Sequence, residues 1–430
     1  MYKLLKSKKR GSAIPLAVVA VIILLAMGVG LLGLGLNSRI FSIRMASDIA
    51  ARCAADAGLA AALFEMNEKL KVEPWDGTSL PEATNVSLPN CDEVFSYKVI
   101  SGFGSNYIIK SVGESGGIKK VVYATIGLQG LFEHAILTKQ TLTLKSGTVV
   151  DGYNSLDMSD TDIDVDIGTQ STSTSSIILN SGVTVKGDVV VGVGGNPDTA
   201  IKDLGATTGD RYAGTAEDPL PQVNPPTLPN MGPAINIKAE TVTITPDDNG
   251  QYGKIVIKQG STAEGVVPGV LEISGGDVVL YITGDIELGE QCEIVVAENS
   301  TLTLYVDGNI HSRANSGINT KNPPEKAATF QLYATGEGAQ NFDIKAKSEF
   351  TGVIYAPNAD VDLYANGDAY GSVVANSFEF KAGGNYYYDE ALREVKMDDE
   401  GVRFVVKRWH EGDYSLLTLD IEQIKQKLAK

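Results

Sequence analysis

The sequence predicts a long N-terminal α-helix (transmembrane plus amphipathic), a small antiparallel meander, and then a mainly-β body, a parallel β-helix or solenoid in preference to a β-sandwich. Three observations carry this. An uncharged apolar run follows a cationic start. A helical pattern continues beyond that run without a proline. Some 240 later residues hold only short β patterns cornered by Gly-Asp and Gly-Asn.

Residues 1–10 carry five cations (Lys3, Lys6, Lys8, Lys9, Arg10) and no anion. From Ala13 to Leu36 lie 24 residues of mostly Ala, Val, Ile, Leu and Gly. At about 1.5 Å per residue they suffice to cross a hydrocarbon core of about 30 Å. The positive-inside rule keeps the basic end in the cytoplasm and places the remainder across the membrane. A secretory signal has a shorter apolar core, of about 7–15 residues. Here the helical pattern also runs on. Arg44, Asp48, Arg52 and Asp56 alternate in sign at i, i+4, and Leu59, Leu63, Met66 and Leu70 share a face until Pro74 ends the pattern. One helix over 12–72 is the simplest reading, its outer half rich in alanine for close packing and its glycines 28, 30, 33 and 35 allowing close approach in the membrane.

After a loop between Pro74 and Pro89, alternating runs at Val94–Ile100, Asn106–Val112 and Lys119–Ile126 predict a three-stranded antiparallel head within 73–130. Cys53 and Cys91 flank it and would be able to form a disulfide outside the cytoplasm; alternatively Cys53 is a small buried residue on the helix. The solenoid is expected in two parts, 131–218 and 234–392. Gly352-Val-Ile-Tyr-Ala-Pro-Asn-Ala-Asp-Val recurs loosely 19 residues on, as Gly371-Ser-Val-Val-Ala-Asn-Ser-Phe-Glu-Phe. Between the parts, 219–233 holds six of the sixteen prolines and reads as an extended loop bulging from the body. Residues 393–430 predict a strand at Val402–Val406 and a helix from Asp420.

Chemical motifs are few. The net charge is −17, so the chain beyond the decapeptide carries −22; such a surface repels phosphate backbones and excludes a nucleic-acid partner. His134, His311 and His410 are too scattered for a zinc site or a hydrolase triad, and no phosphate-binding or dinucleotide motif is present; the chain reads as structural, not as an enzyme. Asp160, Asp162, Asp164 and Asp166 alternate with apolar residues and Thr161, which on a strand puts four carboxylates on one face. They are the one candidate for Ca²⁺; the alternative is a solvated or protected strand face. Tyr355, Tyr364, Tyr370, Tyr386, Tyr387 and Tyr388 form a candidate sugar-binding ladder, unless they stack inside the coils or cover an end.

Lys9-Arg10-Gly11 ahead of an apolar helix, with Cys-Ala-Ala-Asp-Ala-Gly-Leu-Ala at 53–60 after it, resembles the N-terminus of type IV pilin-like proteins, nearest to the PilX-type minor pilins. The resemblance covers about 60 residues. It implies cleavage by a prepilin peptidase between Gly11 and Ser12, with 1–11 as leader, retention of the apolar helix, other pilin-like subunits as partners, and a meander packed on the helix. Asn341–Leu392 resembles an uncharacterised β-rich C-terminal domain of similar pilus-assembly proteins. One departure stands out: the family's glutamate at the fifth mature position is Leu16 here, after Pro15. That departure and the large body fit a tip or priming subunit better than a repeating one. The expected function is therefore a membrane-anchored minor pilin or pseudopilin of a type IV pilus or type II secretion-like system. It would sit in the bacterial inner membrane with its body outside the cytoplasm, displayed for adhesion to a surface glycan or protein. The alternatives are a signal-anchored β-helix enzyme acting on carbohydrate and a bactofilin-like scaffold.

Overall fold

A computed structural model describes residues 13–72, 75–102, 106–159, 163, 165–215, 217–263, 265–320, 326–346, 349–381, 384–397 and 399–412. They form two compact units, one made of 1–128 with 404–430, the other of 129–403.

The first unit is built on helix α1 (Ala13–Leu70), a single 58-residue helix. Its side chains from Ile14 to Ile43 are almost all exposed on every side, because the sequence up to Leu36 is apolar all round and none of the described residues packs on it. Further on, Ala51, Ala54, Ala55, Leu59, Ala62 and Met66 are buried against a sheet. That sheet has strands β1 (Glu82–Ser87), β2 (Val94–Ser101), β3 (Tyr107–Ser115) and β4 (Ile118–Gln129), in an antiparallel meander. A fifth, closing strand, Arg403–Gly412, pairs beside β4. Two features differ from expectation. β1 occupies part of the segment expected to be loop, since Ala83 and Val86 find partners on β2. The strand expected at Val402–Val406 is longer and belongs to the head sheet, held to α1 by the Asn67 side chain, which bonds both N and O of Phe404. The helix expected from Asp420 lies outside the described residues.

Helix and sheet approach closely because the facing residues are small. A Cβ on Gly113 would lie 2.9 Å from the Ala54 carbonyl carbon, so only glycine lets the α1 backbone rest on β3 there.

The second unit is a parallel β-helix. Its strands stack in register on shared faces, for example Asp277–Ile282 on Thr301–Val306, and Ile235–Lys238 on Ile255–Lys258. A separate four-stranded parallel sheet, Thr241–Ile244, Val270–Ile273, Glu293–Val296 and Gly317–Thr320, forms a further wall. Inward positions are Ile, Leu, Val and Phe in one continuous core. The period-2 alternation of the short runs is what builds it: one face of each strand enters the core, the other faces out.

The rungs do not stack in chain order. The strand Ile136–Leu144 pairs with Ala369–Phe380 on one side and with Asp166–Thr169 and Ile177–Leu179 on the other. The chain thus enters the β-helix at an interior rung and coils to Arg211–Ala213 at one end. It then crosses to Asn230–Gly232 at the other end and coils back until Tyr386–Asp389 meets Val149–Tyr153.

The crossing segment is the proline cluster, and it does not bulge outward. Asp218 meets His134 (3.0 Å), the Tyr355 hydroxyl donates to Pro221 O (2.8 Å), Gln222 donates to Thr335 O (3.1 Å), and Gln251 N donates to Pro229 O (2.8 Å). Successive residues touch successive rungs. From 218 to 230, about 12 residues at ~3.1 Å each reach ~37 Å in an extended proline-rich conformation. The seven rung steps between its ends, at ~4.8 Å each, need ~34 Å. A helix of the same length would reach only ~18 Å.

Candidate functional site

Two surfaces draw the eye: the unpartnered half of α1, and the outward columns of the β-helix.

The membrane-type segment of α1 keeps Leu16 and Leu36 exposed, at 78% and 56%, and its mean hydropathy is 2.8. A helix of this length and composition near the N-terminus fits a membrane anchor and also a signal sequence. Ala13 begins the helix; the processing pair Gly11 and Ser12 lies outside the described residues.

Cys53 and Cys91 are free and exposed, which corrects both the disulfide and the buried-cysteine expectations. Cys53 sits beside Arg52 on the side of α1 turned from the sheet, whose buried face takes Ala51, Ala54 and Ala55 instead. Cys91 lies in the turn between β1 and β2, its thiol 3.5 Å from Pro89 O.

Of the aspartate series, Asp160, Asp162 and Asp164 lie outside the described residues. Asp166 opens the strand Asp166–Thr169, and Val165 and Ile167 are in the core. Among the described residues no group of three or more His, Cys, Asp or Glu is placed to hold a metal ion.

The aromatic ladder differs from the one expected. Tyr355, Tyr386 and Tyr388 are buried. The true ladder is Tyr281, Tyr305, Tyr333 and Tyr355, on consecutive rungs of one outward face. Period-2 alternation puts these tyrosines outside, yet Leu131, Phe132, Leu220 and Val223 cover them in a second hydrophobic core. Their hydroxyls are spoken for: Tyr281 donates to Asp307 (2.6 Å), Tyr305 to Glu400 (2.7 Å), Tyr355 to Pro221 O. Burial pushes the Tyr281 hydroxyl up to about 12, with the Asp307 carboxylate adding to it, and raises Tyr305, Tyr333 and Tyr355 further. Sequence spacing misses this ladder because its members stand 22–28 residues apart, at irregular coil lengths.

Tyr364, Tyr370 and Tyr387 remain partly exposed. Tyr364 lies between Lys345 and Lys381, whose ammonium groups stand 5.2 and 5.0 Å from its ring centre. Lys381 also reaches Asp362 (2.8 Å) and Glu379 (3.0 Å), and these partners hold its ammonium charged to well above the usual pH despite partial desolvation. Tyr370 stacks on Tyr387 at 5.2 Å. On the same face as Tyr364 an outward column runs Glu287, His311, Asp343, Asp362, Glu379, one residue per rung.

Residues 237–395 match a family described as a domain of unknown function (DUF7305). No curated protein matches the chain. Among solved structures, the competence-associated pilin ComZ of Thermus thermophilus aligns at 14% identity and a TM-score of 0.21, over 86% of this chain and 98% of that one. A glycosylated ice-binding protein from an Arctic yeast aligns at 14% and 0.27, over 59% and 90%. An ice-binding protein domain of Shewanella frigidimarina aligns at 15% and 0.24, over 60% and 95%. At TM-scores this low the alignments bear on no functional question.

Proposed function

We propose that this protein is a membrane-anchored, pilin-like structural subunit that displays a large β-helix outside the cytoplasm, a minor component of a type IV pilus or type II secretion-like system and not an enzyme. The observation that carries this reading is one continuous helix with two distinct halves. The first half is apolar on all sides and has no packing partner among the described residues. The second half clamps an antiparallel sheet through alanines and glycine contacts. Large apolar surface of this kind needs a bilayer or neighbouring helices to cover it. The basic decapeptide orients the anchor, and the body's negative charge keeps displayed copies apart. Partners under this reading are a prepilin peptidase, which removes 1–11, and other pilin-like subunits.

N-terminal sequencing and intact mass of the membrane-extracted protein test the reading. The expected mature chain begins at Ser12. A terminus beyond Leu36 identifies a cleaved signal, and an intact Met1 removes the leader. Copy number is a second expected outcome. With Leu16 in place of an acidic residue, no buried carboxylate is available to pair with a neighbour's terminal amine. Quantitative mass spectrometry of purified filaments should find one or a few copies per assembly. A stoichiometry equal to the shaft subunit's would overturn the tip assignment.

A further inference from the structure

The β-helix carries a cavity of about 740 Å³ that no part of the reading above uses, lined by Val256–Gln259, Glu287–Glu290, His311–Arg313 and Asp343. It spans four consecutive rungs, since Val256, Glu287, His311 and Asp343 are in register. Among the described residues, three buried side-chain polar atoms of this lining lack a hydrogen-bond partner: Gln259 Oε1, Asp343 Oδ1 and Ser312 Oγ, the last facing inward in register with Leu288. Ser312 is only 4% exposed. The other Asp343 oxygen is bonded to Lys345 Nζ at 3.2 Å, so its orphaned partner is held in place. A buried polar atom left unpaired costs about 1–3 kcal/mol. Gln259 Oε1 and Asp343 Oδ1 point to a ligand that completes them.

The chemistry of the wall selects the ligand class. Gln259 Oε1 and Asp343 Oδ1 need donors. Lys258, His311 and Arg313 supply donors that need acceptors. The ligand must therefore carry groups that both donate and accept, repeated over a few rungs of about 4.8 Å. The lining holds Glu287, Glu290 and Asp343 together with Lys258 and Arg313, so it is close to balanced in charge and favours neither a polyanion nor a polycation. Three or more metal-type ligands do not converge there. Val256, outward in register with Glu287, offers an apolar patch, whereas Ile257 and Leu288 point into the core. The volume falls within the range of about 300–1,000 Å³ usual for small-molecule sites. We propose that this cavity binds a saccharide, hydroxyls on the orphaned oxygens and a C–H ring face on Val256. The site lies wholly within the β-helix, so it stands whether or not the chain is a filament subunit.

The test titrates the full chain in detergent with cellotriose, maltotriose and triacetylchitotriose, followed by calorimetry and by methyl NMR. At least one trisaccharide should bind with millimolar or tighter affinity and shift the two Val256 methyl signals of the unmodified protein. Gln259→Ala and Asp343→Ala should each weaken it about tenfold or more, the usual effect of losing one hydrogen bond to a buried polar or charged group. Lys202→Ala, on the same face but outside the cavity, should change nothing. Absence of binding by all three sugars, or binding that leaves both methyl signals unmoved, overturns the proposal. The methyl readout needs no variant and so decides the matter even if Asp343→Ala folds poorly. Ca²⁺ binding at the same methyls with no sugar binding would reassign the cavity to a cation.

Discussion

At the residue scale, the Gly-Asx pairs explain how rungs of unequal length stay in register. The Asp285 carboxylate accepts from Asn309 N (2.7 Å), the Asn309 side chain from Asn341 N (2.9 Å), and Asp368 from Asn385 N (2.7 Å). Each corner side chain thus fixes the next rung's backbone. The glycine before it lets those corners touch: a Cβ on Gly308 would lie 2.7 Å from Asp285 N. Gly308→Ala should cost about 1–3 kcal/mol through overpacking, whereas Gly338→Ala, with open space at its Cβ, should be neutral or slightly stabilising. Chemical denaturation of both variants checks the pair. Asp203 plays a similar role and adds a pH dependence. Its carboxylate accepts from Ala206 N (2.7 Å), pairs with Arg211 (2.8 Å) and accepts from Gly205 N (2.8 Å), and these lower its pKa from 3.8 to about 2. The ionised form is thus favoured in the fold. Its stabilisation is complete above about pH 4 and fades as pH falls towards 2. Melting temperatures should therefore show Asp203→Asn less stable than the native protein at pH 7, with the gap closing between pH 4 and 2.

At the element scale, two elements are set by length. Helix α1 is long because nothing interrupts it: no proline lies between Leu16 and Leu70, and its buried face is small enough to lie flat on β3. The proline-rich crossing segment is a strap whose reach matches the stack it spans. Deleting Pro225 and Pro226 would shorten it by about 6 Å, more than one rung. That variant should unfold at clearly lower denaturant and expose the Tyr305 and Tyr333 ladder, read as a blue shift of tyrosine ultraviolet absorption and faster proteolysis. Replacing the two prolines by alanines keeps the length and should cost only about 1–2 kcal/mol, through a more flexible unfolded chain. Equal destabilisation by both changes would show that reach is not what the prolines provide.

At the scale of the whole molecule, the β-helix is an insertion. The chain leaves the head at the end of β4 and returns as the closing strand, neighbours in one sheet. The two ends of the insertion are close, since Arg403 donates to the Gln129 side chain at 3.2 Å. Replacing 130–402 by a short Gly/Ser linker should therefore leave a folded head, with α1, the meander and the closing strand intact. Circular dichroism with a cooperative melt, and protection of the Phe404 amide bonded to Asn67, would confirm it. A molten or strand-depleted product would mean that the β-helix is needed to fold the head. The insertion also accounts for the acidic total: the body can be large and negative without altering α1.

Local pattern alone determines much of this protein. The apolar run, its basic flank and the uninterrupted 3.6-residue periodicity define α1, and period-2 runs with Gly-Asx corners define a solenoid, because both depend on neighbours within a few residues. The aspartate series and the two cysteines were equally visible. Yet the cysteines do not meet, since each residue's partner depends on which helix face the sheet takes. Tertiary structure alone decides the rest. Rung order, the return of the closing strand to β4, the path of the proline strap and the covering of the tyrosine face all join residues more than a hundred positions apart. The cavity too is a tertiary product, its orphaned oxygens coming from rungs that share no motif. A strand's sequence specifies which of its faces is apolar; it carries no label for which other strand will lie beside it, because every rung offers the same backbone hydrogen bonds.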